Sequence, residues 1–207
     1  MDDAGVSRYP VELEREWTTR LGTIVRVRPI RPDDAPQLLL FHRQLSPSSV
    51  YRRHFFTHPE LSPSEVAHFT QVDYLDRLAL IAEDAGHMVA VGRYERSPGT
   101  TEAEVAFVVA DAYQHLGIGT MLLDRLAAAA RPAGIATFIA STLSDNRSMV
   151  AVFLHSGFGV TTASSQGVIS VRIAIGTDDT GAAADDQGPS ALPVRVAPEQ
   201  SEVTLTE

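Results

Sequence analysis

A chain of 207 residues, 44% of them apolar and with a formal charge of −9, is long enough to bury one substantial core and too acidic to hold a phosphate backbone well. It contains no cysteine, which removes disulfides, thiolate nucleophiles and Cys-ligated zinc. No stretch approaches the roughly 18 consecutive apolar residues of a membrane helix, and the opening MDDAGVSRYP is acidic and polar, so a cytoplasmic protein with neither membrane nor nucleic-acid partners is expected.

In chain order, REWTTRLGTIVRVRPI alternates on both sides of Leu21-Gly22, which predicts a hairpin whose second strand ends at Pro29. RPDDAPQLLLFHRQL offers Asp33 as an N-cap, Pro36 in the first turns and an apolar stripe of Leu38, Leu39, Phe41 and Leu45, hence a helix. SPSSVYRRHFF and SPSEVAHFTQV each place a serine before a proline and an apolar face, predicting two more short helices. LALIAED and HMVAVGRYE flank Ala85-Gly86 as antiparallel strands, and EAEVAFVVAD is a further strand. A helix from about Gly119 to Ala130 carries Met121, Leu122, Leu123 and Leu126 and stops near Pro132. ATFIAST then reads as a strand, DNRSMVAVFLHSG as a helix capped by Asp145 and ended by Gly157, and GVISVRIAI as a last strand. This order predicts an α/β (α+β) fold: a mixed, mostly antiparallel sheet with one parallel strand-helix-strand crossover and helices on both faces. From Thr177 onward Asp178, Asp179, Asp185, Asp186, Glu199, Glu202 and Glu207 face Arg195 alone, in a stretch rich in Gly, Ala, Pro and Ser. The expected organisation is therefore a flexible N-terminus over 1–8, a domain over 9–176 and a disordered acidic tail over 177–207. All 17 basic residues are arginine, as a GC-rich genome favours.

Between the strand and the helix lies VADAYQHLGIGTMLLDRL, with two glycines where several amide groups and a helix dipole converge. A Walker loop requires lysine, which the chain lacks, and the third glycine of a dinucleotide fingerprint is replaced by Leu122. Gln114-His115-Leu116-Gly117-Ile118-Gly119 instead resembles the Q/R-x-x-G-x-G/A signature of the GNAT N-acetyltransferase superfamily. A glutamate about ten residues upstream, the amphipathic helix, the following strand, the DN helix start and SGF fall in the same order, and the likeness runs from about Tyr9 to Ile175. RPIRPDDAPQLLLFHRQLSPSSVYRRHFF, PELSPSEVAHFTQVDY and AEVAFVV are most similar to the catalytic domain of Pat-type bacterial protein lysine acetyltransferases.

The resemblance implies an N-acetyltransferase using acetyl-CoA. Backbone groups of Phe107, Val108 and Val109 would meet its pantetheine arm. Gln114 opens the cofactor-binding signature, the amides of His115, Leu116, Gly117, Ile118, Gly119 and Thr120 would receive the pyrophosphate, and Asn146 would reach the cofactor or serve as a second helix cap. Glu102 and Glu104 lie two apart on an apolar strand and so share a face, where desolvation would suit one of them to act as general base. The resemblance favours Glu104, with Glu102 in reserve. Many family members carry a tyrosine in the late helix to protonate the thiolate; here Phe153, Leu154 and His155 stand there, so direct attack without a dedicated acid is expected. His54, His58 and His68 lack the acidic residue and the spacing of a metal site, and no metal is expected. Arg52 and Arg53 are expected on a solvated helix face, with contact to substrate or to the adenosine phosphate as the alternative. The acceptor implied is a protein lysine; a small amine, or a noncatalytic acyl-CoA-binding role, are the alternatives.

Overall fold

The computed structural model describes residues 8–54 and 60–176. The expected flexible segment up to residue 7, and the expected acidic tail over 177–207, lie outside the described residues. Eight strands form one sheet: β1 (Arg15–Thr18), β2 (Ile24–Pro29), β3 (Arg77–Asp84), β4 (His87–Arg96), β5 (Glu102–Val109), β6 (Thr137–Leu143), β7 (Gly159–Ser165) and β8 (Val168–Ala174). Their spatial order is β1-β2-β3-β4-β5-β6-β8-β7, with β5 and β6 parallel and every other neighbouring pair antiparallel. The parallel pair is joined by α4 (Ile118–Ala130), the one crossover the sequence predicts.

Both faces of the sheet are covered. On one, α4 and α5 (Arg147–Leu154) bury Leu122, Leu123, Leu126 and Phe153 against Leu78, Leu80, Val105, Phe107 and Phe138. On the other, α1 (Ala35–Gln44), α2 (Pro47–His54) and α3 (Pro63–Thr70) bury Leu38, Phe41, Val50 and Val66 against Ala79, Ile81 and Val91. β3 contributes Leu78, Leu80 and Ala82 to one core and Ala79 and Ile81 to the other, which explains why LALIA is continuously apolar.

Three local features differ from the sequence reading. Asp34, not Asp33, occupies the position before α1, after a 3-10 turn over Pro32–Asp34. Its carboxylate does not cap α1; it accepts from the Arg31 amide at 2.7 Å and takes a bidentate bond from Arg28 at 2.8 and 2.7 Å, Arg28 also reaching Glu83. Likewise Asn146, not Asp145, caps α5, its side-chain oxygen accepting from the Met149 amide. β7 is an edge strand that the sequence reading missed, because VTTASS is exposed and carries no alternating apolar face.

The register between β5 and β6 matters most for function. Only Glu102↔Thr137, Ala103↔Phe138 and Glu104↔Ile139 are paired, whereas β5 runs on to Val109 and β6 to Leu143. Beyond Glu104 the two strands diverge, and that opening is the start of the cleft.

Candidate active site

A cleft of about 360 Å³ follows this opening, walled by β5 from Glu104 to Val109, the loop before α4, β6 at Ser141 and Thr142, α5, and Arg52 and Arg53 of α2. Phe107 is the wedge on the α4 side, with its ring centroid 6.3 Å from that of Phe153. It fits there because β4 carries Gly92 beneath it; a Cβ on Gly92 would lie 2.8 Å from the Phe107 ring.

The loop is shaped by backbone requirement. Gly117 has φ +90°, and a Cβ there would lie 3.3 Å from the Trp17 ring and 3.4 Å from Arg20 Nε. The β1–β2 hairpin folds over the loop, and the Arg20 amide donates to the Leu116 carbonyl at 3.3 Å. His115 also adopts a left-handed conformation, φ 62°. The first amide of α4 to find a helical acceptor is that of Met121, bonded to the Gly117 carbonyl at 3.0 Å. Among the described residues no acceptor engages the amides of residues 115–120. A row of backbone donors at a helix N-terminus, in a cleft, is the arrangement that holds a diphosphate. A Cβ on Gly119 would stand 3.2 Å from Val152, so this glycine sets the approach of α4 to α5.

Gln114 lines the cleft, but its side chain serves as a tie: Nε2 donates to the Ser49 hydroxyl at 3.1 Å and to the Val109 carbonyl at 3.2 Å. Asp111 continues that tie, accepting from the Ser46 amide and hydroxyl and from the Ser49 hydroxyl at 3.0, 2.7 and 2.9 Å. Desolvation pushes the Asp111 carboxyl up, but the hydrogen bonds from Ser46 and Ser49 outweigh it and hold the group below its usual range. The N-terminus of α2 is thereby fastened to the loop. Leu116 and Ile118 turn their side chains to the core and present only backbone to the loop.

Glu104 lies in the cleft wall and is exposed, a correction to the expectation of a buried strand face. Glu102 is outside the cleft and is hydrogen-bonded to Arg172 of β8, an ion pair that already satisfies it. Of the two carboxylates, only Glu104 can reach a molecule in the cleft. Asn146 is buried and lines the cleft, with its side-chain oxygen occupied as the α5 cap. His155 follows α5 in the same wall; its Nδ1 lies 2.9 Å from the Ala151 carbonyl, so that nitrogen is the donor. His68 pairs with Glu95 at 3.1 Å, and no cluster of metal ligands occurs among the described residues; the His54 side chain and His58 lie outside them.

Sequence reasoning missed Arg20, Trp17, Ser49 and Thr142. The first three reach the loop through long-range packing that leaves no local signature. Thr142 lines the cleft, and its buried hydroxyl has no hydrogen-bond partner among the described residues.

The family model for the acetyltransferase (GNAT) family matches residues 48–158, which contain β5, the loop, α4, β6 and α5. The chain belongs to the GNAT acetyltransferase family. Acetyltransferase Pat of Mycolicibacterium smegmatis is 30% identical to this GNAT chain over 164 residues, 78% of this chain and 49% of Pat. The chain thus spans about half the length of that relative. The crystal structure of the GNAT domain of S. lividans PAT superposes with a TM-score of 0.75 at 38% identity, covering 80% of this chain and 98% of that one. YncA of Salmonella typhimurium, solved with acetyl-CoA, shares the GNAT fold with a TM-score of 0.61 at 19% identity, over 79% of this chain and 99% of its own. The catalytic domain of Pat-type enzymes is therefore what this chain resembles.

Proposed function

We propose that this chain transfers an acetyl group from acetyl-CoA to the side-chain amine of a protein lysine, with Glu104 as general base. The observation that carries the reading is the divergence of β5 from β6 at Glu104, which leaves an exposed carboxylate in the wall of a cleft that also holds amides of residues 115–120, unengaged among the described residues. Amides of residues 115–120 would hold the diphosphate of acetyl-CoA, and the free edge of β5 at Phe107, Val108 and Val109 would receive the pantetheine amides as an added strand. Family membership and the likeness to Pat support both assignments.

A lysine ammonium near its ordinary pKa is only about one part in a thousand neutral at physiological pH, a handicap of roughly 4 kcal/mol. Glu104 takes the proton, through a bridging water where the amine sits beyond direct reach. The amine nitrogen then attacks the thioester carbon and gives up its second proton to solvent; an amide C–N bond forms, the C–S bond breaks and the thiolate leaves to be protonated by solvent. No tyrosine stands in α5 to act as acid, and Phe153 there is buried in the core.

The test pairs Glu104→Gln with the parent chain. Turnover is expected to fall by about 10² to 10⁴ with acetyl-CoA affinity retained, since the substitution removes proton transfer and little else. Full turnover by Glu104→Gln at neutral pH removes Glu104 from the mechanism. Labelled acetyl-CoA added to a lysate separates the acceptors: label in proteins supports lysine, and label confined to small amines contradicts it.

A further inference from the structure

Near Glu104 two arginines stand close together, neither bonded to a carboxylate among the described residues. Arg53, on α2, lines the main cleft and also a second cavity of about 30 Å³, whose wall includes Arg93, Phe69, Ala106 and Val108. Arg53, Ala106 and Val108 are common to both walls. Arg93 comes from β4, directly across from Ala106, and its guanidinium lies 4.1 Å from the centroid of the Phe69 ring. Neither arginine forms a hydrogen bond or ion pair with an acidic group among the described residues. The segment FFTHP that follows His54 contains no acidic residue, and Glu60 beyond it pairs with Arg43. Glu95, the cross-strand neighbour of Glu104, is already shared by His68 at 3.1 Å and Arg77 at 3.8 Å.

This arrangement is costly as it stands. Desolvation, with repulsion from Arg53 and Arg77, pulls Arg93 down to about 9; desolvation also lowers Arg53, against the opposing pull of Glu104. Two guanidiniums beside the general base also repel an incoming ammonium, so a bare alkylamine or a polyamine is a poor fit. An acceptor that brings its own carboxylate removes both penalties. The guanidinium fork is suited to a carboxylate, and a cavity of about 30 Å³ has room for about two water-sized groups.

Resting on the acetyltransferase reading, we propose that Arg53 and Arg93 form a carboxylate subsite, so that the preferred amine has a carboxylate close by. That carboxylate belongs to an acidic residue beside the target lysine, or is the α-carboxylate of a free amino acid.

Two blocked dipeptides, Glu-Lys and Gln-Lys, and free lysine with its carboxylate amidated or not, are the probes. Their affinities for the full chain are read by calorimetry in the presence of coenzyme A, without turnover, and their kcat/KM values with acetyl-CoA. Glu-Lys is expected to exceed Gln-Lys by at least about tenfold in affinity, the gain of one charge-assisted hydrogen bond. The ratio is expected to collapse toward one in Arg53→Gln and Arg93→Gln, with acetyl-CoA binding as the check that each variant folds. A preference confined to unamidated free lysine assigns the carboxylate to a free amino acid. Equal binding of all probes, or a preference that survives both substitutions, overturns the subsite even if acetyl transfer is observed. A preference in binding with no transfer to any amine overturns the acetyltransferase reading and leaves the subsite standing.

Discussion

At the scale of single residues, backbone conformation does much of the work. Gly117 combines a left-handed φ with a Cβ position closed off by Trp17 and Arg20. Gly117→Ala is expected to lose about 1 to 2 kcal/mol of stability, read by urea unfolding, and to weaken acetyl-CoA binding by disturbing the neighbouring amides. The two glycines were legible in the sequence as part of the loop signature, but what requires them was not: Trp17 and Arg20 close off Gly117, and Val152 lies against Gly119. The use of Gln114 was not: its position was marked, but its side chain binds Ser49 and Val109, contacts that depend on where α2 comes to rest. Strand alternation put Glu102 and Glu104 on one face and only the family resemblance favoured Glu104; its exposure was not legible, because the opening of the sheet beside it is a property of two strands together. Glu102, equal to it by spacing, is set apart only by Arg172 from a strand 70 residues later.

At the scale of elements, two polar anchors hold α1 and α2. Arg28 on β2 bonds Asp34 and Glu83, all three nearly buried, and so fixes the start of α1 to β3. Asp34→Ala leaves Arg28 buried without half its partners and is expected to cost about 3 to 5 kcal/mol, measured by thermal or denaturant unfolding. Desolvation pushes the Asp34 carboxyl up, but its bonds to Arg28 and the Arg31 amide prevail and hold it below the ordinary carboxylate range. Its contribution is therefore present above about pH 4 and is lost as the pH falls through the depressed folded value, so acid unfolding of the parent chain should be steeper than that of Asp34→Asn. Asp111 is the second anchor, binding Ser46 and Ser49 at the start of α2. Asp111→Ala is expected to lower kcat/KM for the acceptor by about tenfold, because α2 carries Arg52 and Arg53 into the cleft and small displacements are expensive there. The serine-proline grammar predicted α2 and α3 correctly since capping is local; at α1 the carboxylate of Asp34 is drawn to Arg28 and the Arg31 amide and does not cap the helix, and at α5 the local cap is Asn146, one residue after the expected Asp145.

At the scale of the molecule, the alternation of strands with one helix between β5 and β6 carried the mixed sheet and its one parallel crossover into view from sequence, while the β6-β8-β7 order at one edge was not legible. Only β7 escaped, since an exposed edge strand of small polar residues has no buried face to impose a period. The parted strands and the helix N-terminus line one cleft, so a ligand bound there should stabilise the whole chain: acetyl-CoA at one hundred times its Kd is expected to add about 2.7 kcal/mol to unfolding. The most direct measurement is a calorimetric titration of the full chain with acetyl-CoA. Saturable binding at one site per chain, weakened at least about tenfold by Gly117→Ala and unchanged by Glu104→Gln, is the predicted result. Absence of saturable binding, or equal binding by Gly117→Ala, would contradict the account.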